Sequence, residues 1–273
     1  MTTIAAALAA ARATIAIGEA KLLLRHVLAC ASAYLEAHRE DEVPAEAAAR
    51  FAELVALRGA GEPIAYLTGA REFYGRMFEV TPAVLIPRPE TELLVEQGMA
   101  KLSGKPRPRI LELGTGSGCI AVSLALELSA TGAEVTAADI SPDALAVARR
   151  NAARHDAALR CVESDWFVAL GDERFDLIVA NPPYIPLGDP HLAAGDLRFE
   201  PPQALASGAD GLEAIRRIVG AAPRHLKPGG WLLFEHGYDQ AASAHRLLEA
   251  AGFLEIQQFR DLAGIVRVSG GRV

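Results

Sequence analysis

An α/β fold built on a doubly wound, mostly parallel sheet of seven strands, preceded by a small helical bundle, is what this chain predicts. Three observations carry that expectation. Beyond residue 108, short apolar runs alternate with amphipathic stretches in the order strand, loop, helix, the pattern of a parallel sheet covered on both faces. The first of these strands, RILEL, runs into the glycine-rich bend of ELGTGSG. Residues 1 to 63, by contrast, contain almost nothing that favours strands.

In the first part, Ile4, Leu8, Ala11 and Ile15 fall on one helical face. KLLLRHVLACASAYLEAH reads as a second helix, and a third starts near Pro44, a residue suited to a first turn, with Ala47, Phe51, Leu54 and Val55 turned inward. GAGEP (59–63) closes the bundle with turn residues. Residues 64–87, IAYLTGAREFYGRMFEVTPAVLIP, alternate around Gly75 as a hairpin does and are read as a linker. The main domain then spans 88–273. PRPETELLVEQGMAKL opens it as a helix with prolines and acids in its first turn, where the helix dipole favours negative charge. RILEL, EVTAAD, LRCVESDWF, FDLIVANPPY, WLLFEHG, FLEIQQFRD and IVRVSG are its strands. Between them lie the helices CIAVSLALEL, ALAVARRNAARH (capped by Ser141 and Pro142) and LEAIRRIVGAAPRHL.

Composition narrows the function classes. A formal net charge of −7 argues against a protein whose affinity comes from nucleic-acid phosphates. Cys30, Cys119 and Cys161 are widely spaced and form no CxxC pair, as expected of reduced thiols in a cytoplasmic protein. The histidines show no metal-ligand spacing, so no metal is expected. The N-terminus lacks a basic leader and is interrupted by Arg12, which reads as an amphipathic helix rather than a signal peptide. No window is long and apolar enough to cross a bilayer. A soluble, monomeric protein is expected.

In a doubly wound sheet, ligands sit beyond the carboxyl ends of the strands. The glycine loop there has Gly114, Gly116 and Gly118, with Thr115 and Ser117 between them. Three glycines in five residues let a ligand approach the backbone closely. A dinucleotide site wants its third glycine one place later, where this chain has Cys119. That argues against a nicotinamide-dependent oxidoreductase. Asp139 ends the next strand, where a carboxylate accepts hydrogen bonds from ribose hydroxyls. Asp165-Trp166 ends the third, where a ring could lie against an adenine.

The motif E-x-G-x-G-x-G, followed by an acid after the next strand, resembles the class I S-adenosylmethionine-dependent methyltransferases, which have a Rossmann-like fold. The resemblance implies that Gly114 to Gly118 lie against the methionine part of S-adenosyl-L-methionine, that Asp139 holds its ribose, and that Asp165 and Trp166 flank its adenine. S-adenosyl-L-homocysteine would be the product.

The fourth strand runs FDLIVANPPY. Asn-Pro-Pro-Tyr here resembles the amino-methyltransferases, which act on planar nitrogens. Such a nitrogen is a poor nucleophile because its lone pair is delocalised. Two acceptors, the Asn181 side-chain oxygen and the Pro182 carbonyl, can hold its two hydrogens and turn the lone pair toward the methyl group. Neither Pro182 nor Pro183 carries an N–H, so the turn cannot satisfy itself. Tyr184 can stack on the flat substrate group. No strong base is needed, because a methylated, cationic nitrogen releases its proton readily.

Taken together, EPIAYLTGAREFYG, LIPRPETELLVE, ELGTGSG, DISPDALAVARRNA, SDWF, NPPYI and DLRFEP resemble, in this order, the peptide chain release factor glutamine methyltransferases of the HemK/PrmC family. The resemblance implies methylation of the side-chain amide nitrogen (N5) of the glutamine in the GGQ tripeptide of class I release factors. It also implies that residues 1–63 help grip that protein substrate. The irregular stretch IPLGDPHLAAGDLRFEPPQALASGADG is read as a substrate-binding wall. Competing readings are an N6-adenine or N2-guanine methyltransferase acting on nucleic acid, and a non-catalytic scaffold.

Overall fold

Apolar residues at helical spacing fold the N-terminal part into α1 (Ile4–Ala11), α2 (Ile17–Leu28), α3 (Ser32–Ala37), α4 (Ala45–Gly59) and α5 (Ile64–Thr68). The computed structural model describes residues 2–273. These helices form one compact unit that ends at Ala70, beyond the GAGEP turn. Its core includes Ile4, Leu8, Leu23, Leu24, Phe51 and Leu54, and Leu67 of α5 joins them. Two expectations change here. The single helix over 21–38 is broken: Ala29 takes a left-handed φ of 49°, its N–H closing on the carbonyls of Arg25 and His26, and α3 starts afresh. Residues 64–68 are helical rather than extended, ended by Gly69 in the left-handed region (φ 69°) that favours glycine.

The hairpin around Gly75 is present as β1 (Ala70–Phe73) and β2 (Arg76–Glu79). Tyr74 and Gly75 both have positive φ, 50° and 72°, the turn that matches strand twist.

The second unit, Arg71–Val273, is built on a sheet in the order β5-β4-β3-β6-β7-β9-β8. Its strands are β3 (Arg109–Leu113), β4 (Glu134–Asp139), β5 (Leu159–Glu163), β6 (Phe175–Ala180), β7 (Leu226–Glu235), β8 (Leu254–Arg260) and β9 (Val266–Arg272). Only β9 runs against the direction shared by the other strands. The helices α6 (Glu92–Lys101), α7 (Cys119–Glu127), α8 (Pro142–Arg154), α9 (Glu213–His225) and α10 (Ala241–Ala250) cover both faces. β6 shows why: all of its residues are buried, with Leu177 and Val179 packing on one side with Leu94 and Leu124, and Ile178 and Ala180 on the other with Ile215 and Leu248. A strand buried on both faces is a nearly continuous apolar run, and its one acid, Asp176, is paired with Lys105 and Lys227. Strand order reverses between β3 and β6, each paired to a different run of neighbours. A doubly wound sheet opens its ligand crevice there.

Asn151 of α8 ties three segments together. Fully buried, its Nδ2 donates to the carbonyls of Glu79 and Ser117, both at 2.9 Å, while its Oδ1 accepts from Glu79 N at 2.7 Å. Asn151→Ala strips these partners from buried backbone groups and should cost about 3 kcal/mol. Urea unfolding followed by tryptophan fluorescence reads this unit, which holds both Trp166 and Trp231. An unchanged midpoint would show that the clamp contributes nothing.

Candidate active site

The site is assembled from four consecutive strand ends. β3 delivers the glycine loop, in which Gly114, Gly116 and Gly118 have φ of 69°, 53° and 79°. Gly118 caps α7, and a Cβ there would lie 3.1 Å from the Ala148 Cβ. Glycine is therefore required twice over, by backbone conformation and by contact with α8. Glu112, near the end of β3, is buried beneath the loop, where it accepts hydrogen bonds from the Thr115 hydroxyl and from Ala121 N. Burial pushes its carboxyl up to about 8, against these two bonds.

β4 ends at Asp139, whose Oδ2 accepts from Gly116 N and whose Oδ1 accepts from Ser141 N, both at 2.9 Å. Burial raises its pKa, and the N–H donors oppose the rise. One carboxylate thus holds the loop's conformation and keeps free lone pairs. After β5, Ser164 Oγ donates to the Trp166 carbonyl (2.8 Å) and accepts from Ala169 N (3.0 Å). This turn holds Trp166 at a φ of 52°, a conformation costly for a bulky residue. Its ring lies across Gly114, 3.7 Å from where a Cβ would stand. The extended strand expected over 159–167 therefore stops at Glu163. Asp165 pairs with Arg217 at 2.7 Å.

After β6, Asn181 donates from Nδ2 to Thr91 Oγ1 at 3.1 Å. Thr91 in turn donates to Glu235 Oε2 at 2.7 Å, and Tyr184 donates from its hydroxyl to Glu235 Oε1 at 3.2 Å. Thr91 and Glu235 are buried. Burial pushes the Glu235 carboxyl up to about 7, with the two hydroxyl bonds opposing. The Asn181 side-chain oxygen and the Pro182 carbonyl accept no hydrogen bond among the described residues.

Of the residues expected from sequence, Gly114, Thr115, Gly116, Ser117, Asp139, Asp165, Trp166, Asn181 and Pro183 line one cavity of about 290 Å³. Gly118 is in the loop but turned to α8, and Pro182 and Tyr184 are not among the lining residues, although Pro182 stands between Asn181 and Pro183, which are. The Tyr184 ring packs with the core on the α9 side, and burial pushes its hydroxyl pKa far above the ordinary phenol value. Sequence reasoning does not single out Thr91, Glu235 or the pair of half-buried Arg88 and buried Glu200. Glu200 also accepts from Ile86 N at 3.0 Å. That pair joins the PRPE and RFEP segments, which were quoted only as motifs. An acid closing the apolar run WLLFE was the available signal for Glu235. The stretch 185–211 is irregular, with short 3₁₀ turns at Pro190–Ala193, Gly195–Phe199 and Pro202–Ala204. Among the described residues, no cluster of three or more His, Cys, Asp or Glu could hold a metal, and no helix is long and apolar enough to cross a membrane.

The family model described as the PrmC N-terminal domain matches residues 1–69, and that of the methyltransferase small domain matches 89–194. The release factor glutamine methyltransferase of Bordetella pertussis is 55% identical over 254 residues, 93% of each chain. That of Burkholderia pseudomallei is 53% identical over 262 residues, 93% of this chain and 91% of that one. Among solved structures, a methyltransferase from Pyrococcus furiosus has a TM-score of 0.54 at 20% identity, covering 82% of this chain and 95% of that one. The T. thermophilus 16S rRNA methyltransferase RsmC has a TM-score of 0.54 at 22% identity, covering 74% and 49%. These two likenesses speak to the fold. With more than half its residues identical to those relatives over nearly its whole length, the chain belongs to the release factor glutamine methyltransferase family and is a methyltransferase enzyme.

Proposed function

We propose that the protein transfers a methyl group from S-adenosyl-L-methionine to the side-chain amide nitrogen (N5) of the glutamine in the GGQ motif of class I peptide chain release factors. The observation that carries this reading is the pair of free acceptors, Asn181 Oδ1 and the Pro182 carbonyl, beside a glycine-floored cavity. A carboxamide NH₂ has two hydrogens for two acceptors. Held by both, its lone pair is freed to point at an electrophilic carbon.

The cavity suits the methyl donor in three ways. The absent side chains at Gly114 and Gly116 leave room for its amino-acid part, Asp139 offers lone pairs to a ribose diol, and the Trp166 ring forms an apolar face for adenine. When bound, the donor supplies an electrophilic methyl on sulfonium. The S–C bond breaks as the N–C bond forms, leaving S-adenosyl-L-homocysteine. The nitrogen then loses one proton to solvent. Fixed acceptor dipoles at Asn181 and Pro182 stabilise the charge growing on nitrogen, and positioning supplies much of the remaining acceleration. Tyr184, tied to Glu235, is better suited to anchoring the corner than to stacking on substrate. Residues 1–63 are assigned the grip on the release factor, 64–87 the linking segment and 88–273 the catalysis. We place the protein in the cytoplasm, acting as a monomer without metal or direct nucleic-acid contact.

Incubation with a release factor and isotopically labelled methyl donor should add one methyl mass to the GGQ peptide. RNA and DNA run in parallel should stay unlabelled, and label on nucleic acid instead would favour the adenine or guanine reading. Asn181→Ala should lower kcat by about 10²–10³-fold while donor affinity by calorimetry stays within a few-fold. A collapse of donor binding with normal turnover per bound complex would contradict the assigned role.

The buried acids give a stability signature. Glu112 and Glu235 have folded-state pKa values raised to about 8 and about 7 from 4.5. A carboxyl raised in this way contributes stability that is complete below its unfolded pKa and is lost as pH rises through its folded pKa. The free protein should therefore lose stability between pH 4.5 and 8, and Glu112→Gln should flatten that decline. Equal slopes for the two proteins in urea titrations across this range would refute the assignment to Glu112.

A further inference from the structure

We infer that Glu235, acting through Thr91, sets which end of the Asn181 carboxamide faces the substrate, making both of them positioning residues for methyl transfer. The inference rests on the function proposed above and adds residues that the NPPY corner does not itself contain.

A carboxamide has an oxygen and an NH₂ of nearly equal size, and a half-turn exchanges them. In one orientation Asn181 offers the substrate NH₂ an acceptor. In the other it offers a donor, and the substrate is repelled. Thr91 Oγ1, 3.1 Å from the Asn181 Nδ2, cannot choose by itself. A hydroxyl both donates and accepts. The choice is made one step further in. Glu235 is a buried carboxylate at the end of β7, acceptor-only when ionised, with one oxygen on Thr91 and the other on Tyr184. The Thr91 proton is thereby committed to Glu235. Only lone pairs remain toward Asn181, so Asn181 must turn its NH₂ to Thr91 and its oxygen away.

Protonation of Glu235 reverses this logic. The new O–H can donate to Thr91 Oγ1, the threonine proton is released toward Asn181, and the flipped amide becomes acceptable. The groups around Glu235 are Glu90 and Thr91 before α6, Tyr184 from the corner, His236 just after the end of β7 and Arg267 on β9. Of the charged ones, Arg267 favours the ionised form and Glu90 opposes it. His236 is turned away onto Ser269 and the Gly237 carbonyl, and burial lowers its imidazole pKa. The balance leaves Glu235 ionising at about 7.

Steady-state kinetics on a release factor between pH 5.5 and 9, with donor affinity measured in parallel, test this directly. Wild-type kcat should fall on the acid side with a midpoint near 7, with KM little changed. Glu235→Gln should abolish that limb and lower kcat by about 10- to 100-fold. Thr91→Val should lower kcat comparably, and Thr91→Ser, which keeps the hydroxyl, should recover most of the loss. Wild-type kcat in Glu235→Gln and Thr91→Val would overturn the inference. So would losses matched by equal losses in donor affinity or melting temperature. A second readout needs no substrate: the ¹⁵N resonance of the Asn181 side-chain NH₂ should titrate near pH 7 in the wild type and not in Glu235→Gln. If the wild type transferred no methyl to GGQ, the proposed function would fail, and this titration would still decide the orientation.

Discussion

β6 ends in a corner that cannot close on itself. Pro182 and Pro183 have no N–H to donate, so the carbonyl between them and the Asn181 side-chain oxygen keep their lone pairs among the described residues. Asn181 is half-buried and lines the cavity, so its free oxygen is open to a donor from a bound group. The structure holds the corner rigid because β6 is buried along its length between β3 and β7. It also fixes where the corner stands. Leu113 is paired with Ala180 in the sheet register, so the glycine loop and the Asn-Pro-Pro corner leave two adjacent strands at the same level. With the function proposed above, strand pairing alone would bring together a methyl donor on the loop and an amide at the corner.

The acids around the cavity share a second constraint. Glu112 and Glu235 are both buried, and burial penalises the charged form of each. Each accepts two hydrogen bonds, Glu112 from the loop that follows it and Glu235 from segments far away in the chain. Glu112 holds Thr115 and the start of α7, and Glu235 holds Thr91 and Tyr184. Apolar residues would fill these places at less cost to folding. When ionised, such an acid is acceptor-only and gives something they cannot, a fixed direction for every hydrogen bond that leads outward from it.

Much of this was legible in the sequence, and what was not has a common cause. The strands of the sheet, the three glycines, Asp139 and the Asn-Pro-Pro-Tyr corner are local patterns, each contained in a few residues. The relay behind Asn181 is long-range. Thr91 lies 90 residues from its partner Asn181 and 144 from Glu235, and no periodicity links such positions. The same holds for Arg88 and Glu200, 112 residues apart. Tyr184 misled for a related reason, since an aromatic ring beside a site suggests stacking until its hydroxyl is seen to have a buried partner. The smaller departures were backbone events: left-handed Ala29 dividing α2 from α3, and left-handed Trp166 ending β5 early. Neither residue type ordinarily adopts that conformation, so nothing in the local sequence announces it.

A crystal structure of the protein with S-adenosyl-L-homocysteine and a GGQ-containing release factor would show what the two oxygen atoms of the corner hold. The glutamine amide nitrogen should lie within hydrogen-bond distance of both Asn181 Oδ1 and the Pro182 carbonyl, with its unshared face toward the sulfur. A glutamine held by other residues, with the Asn181 oxygen turned to Thr91, would contradict it.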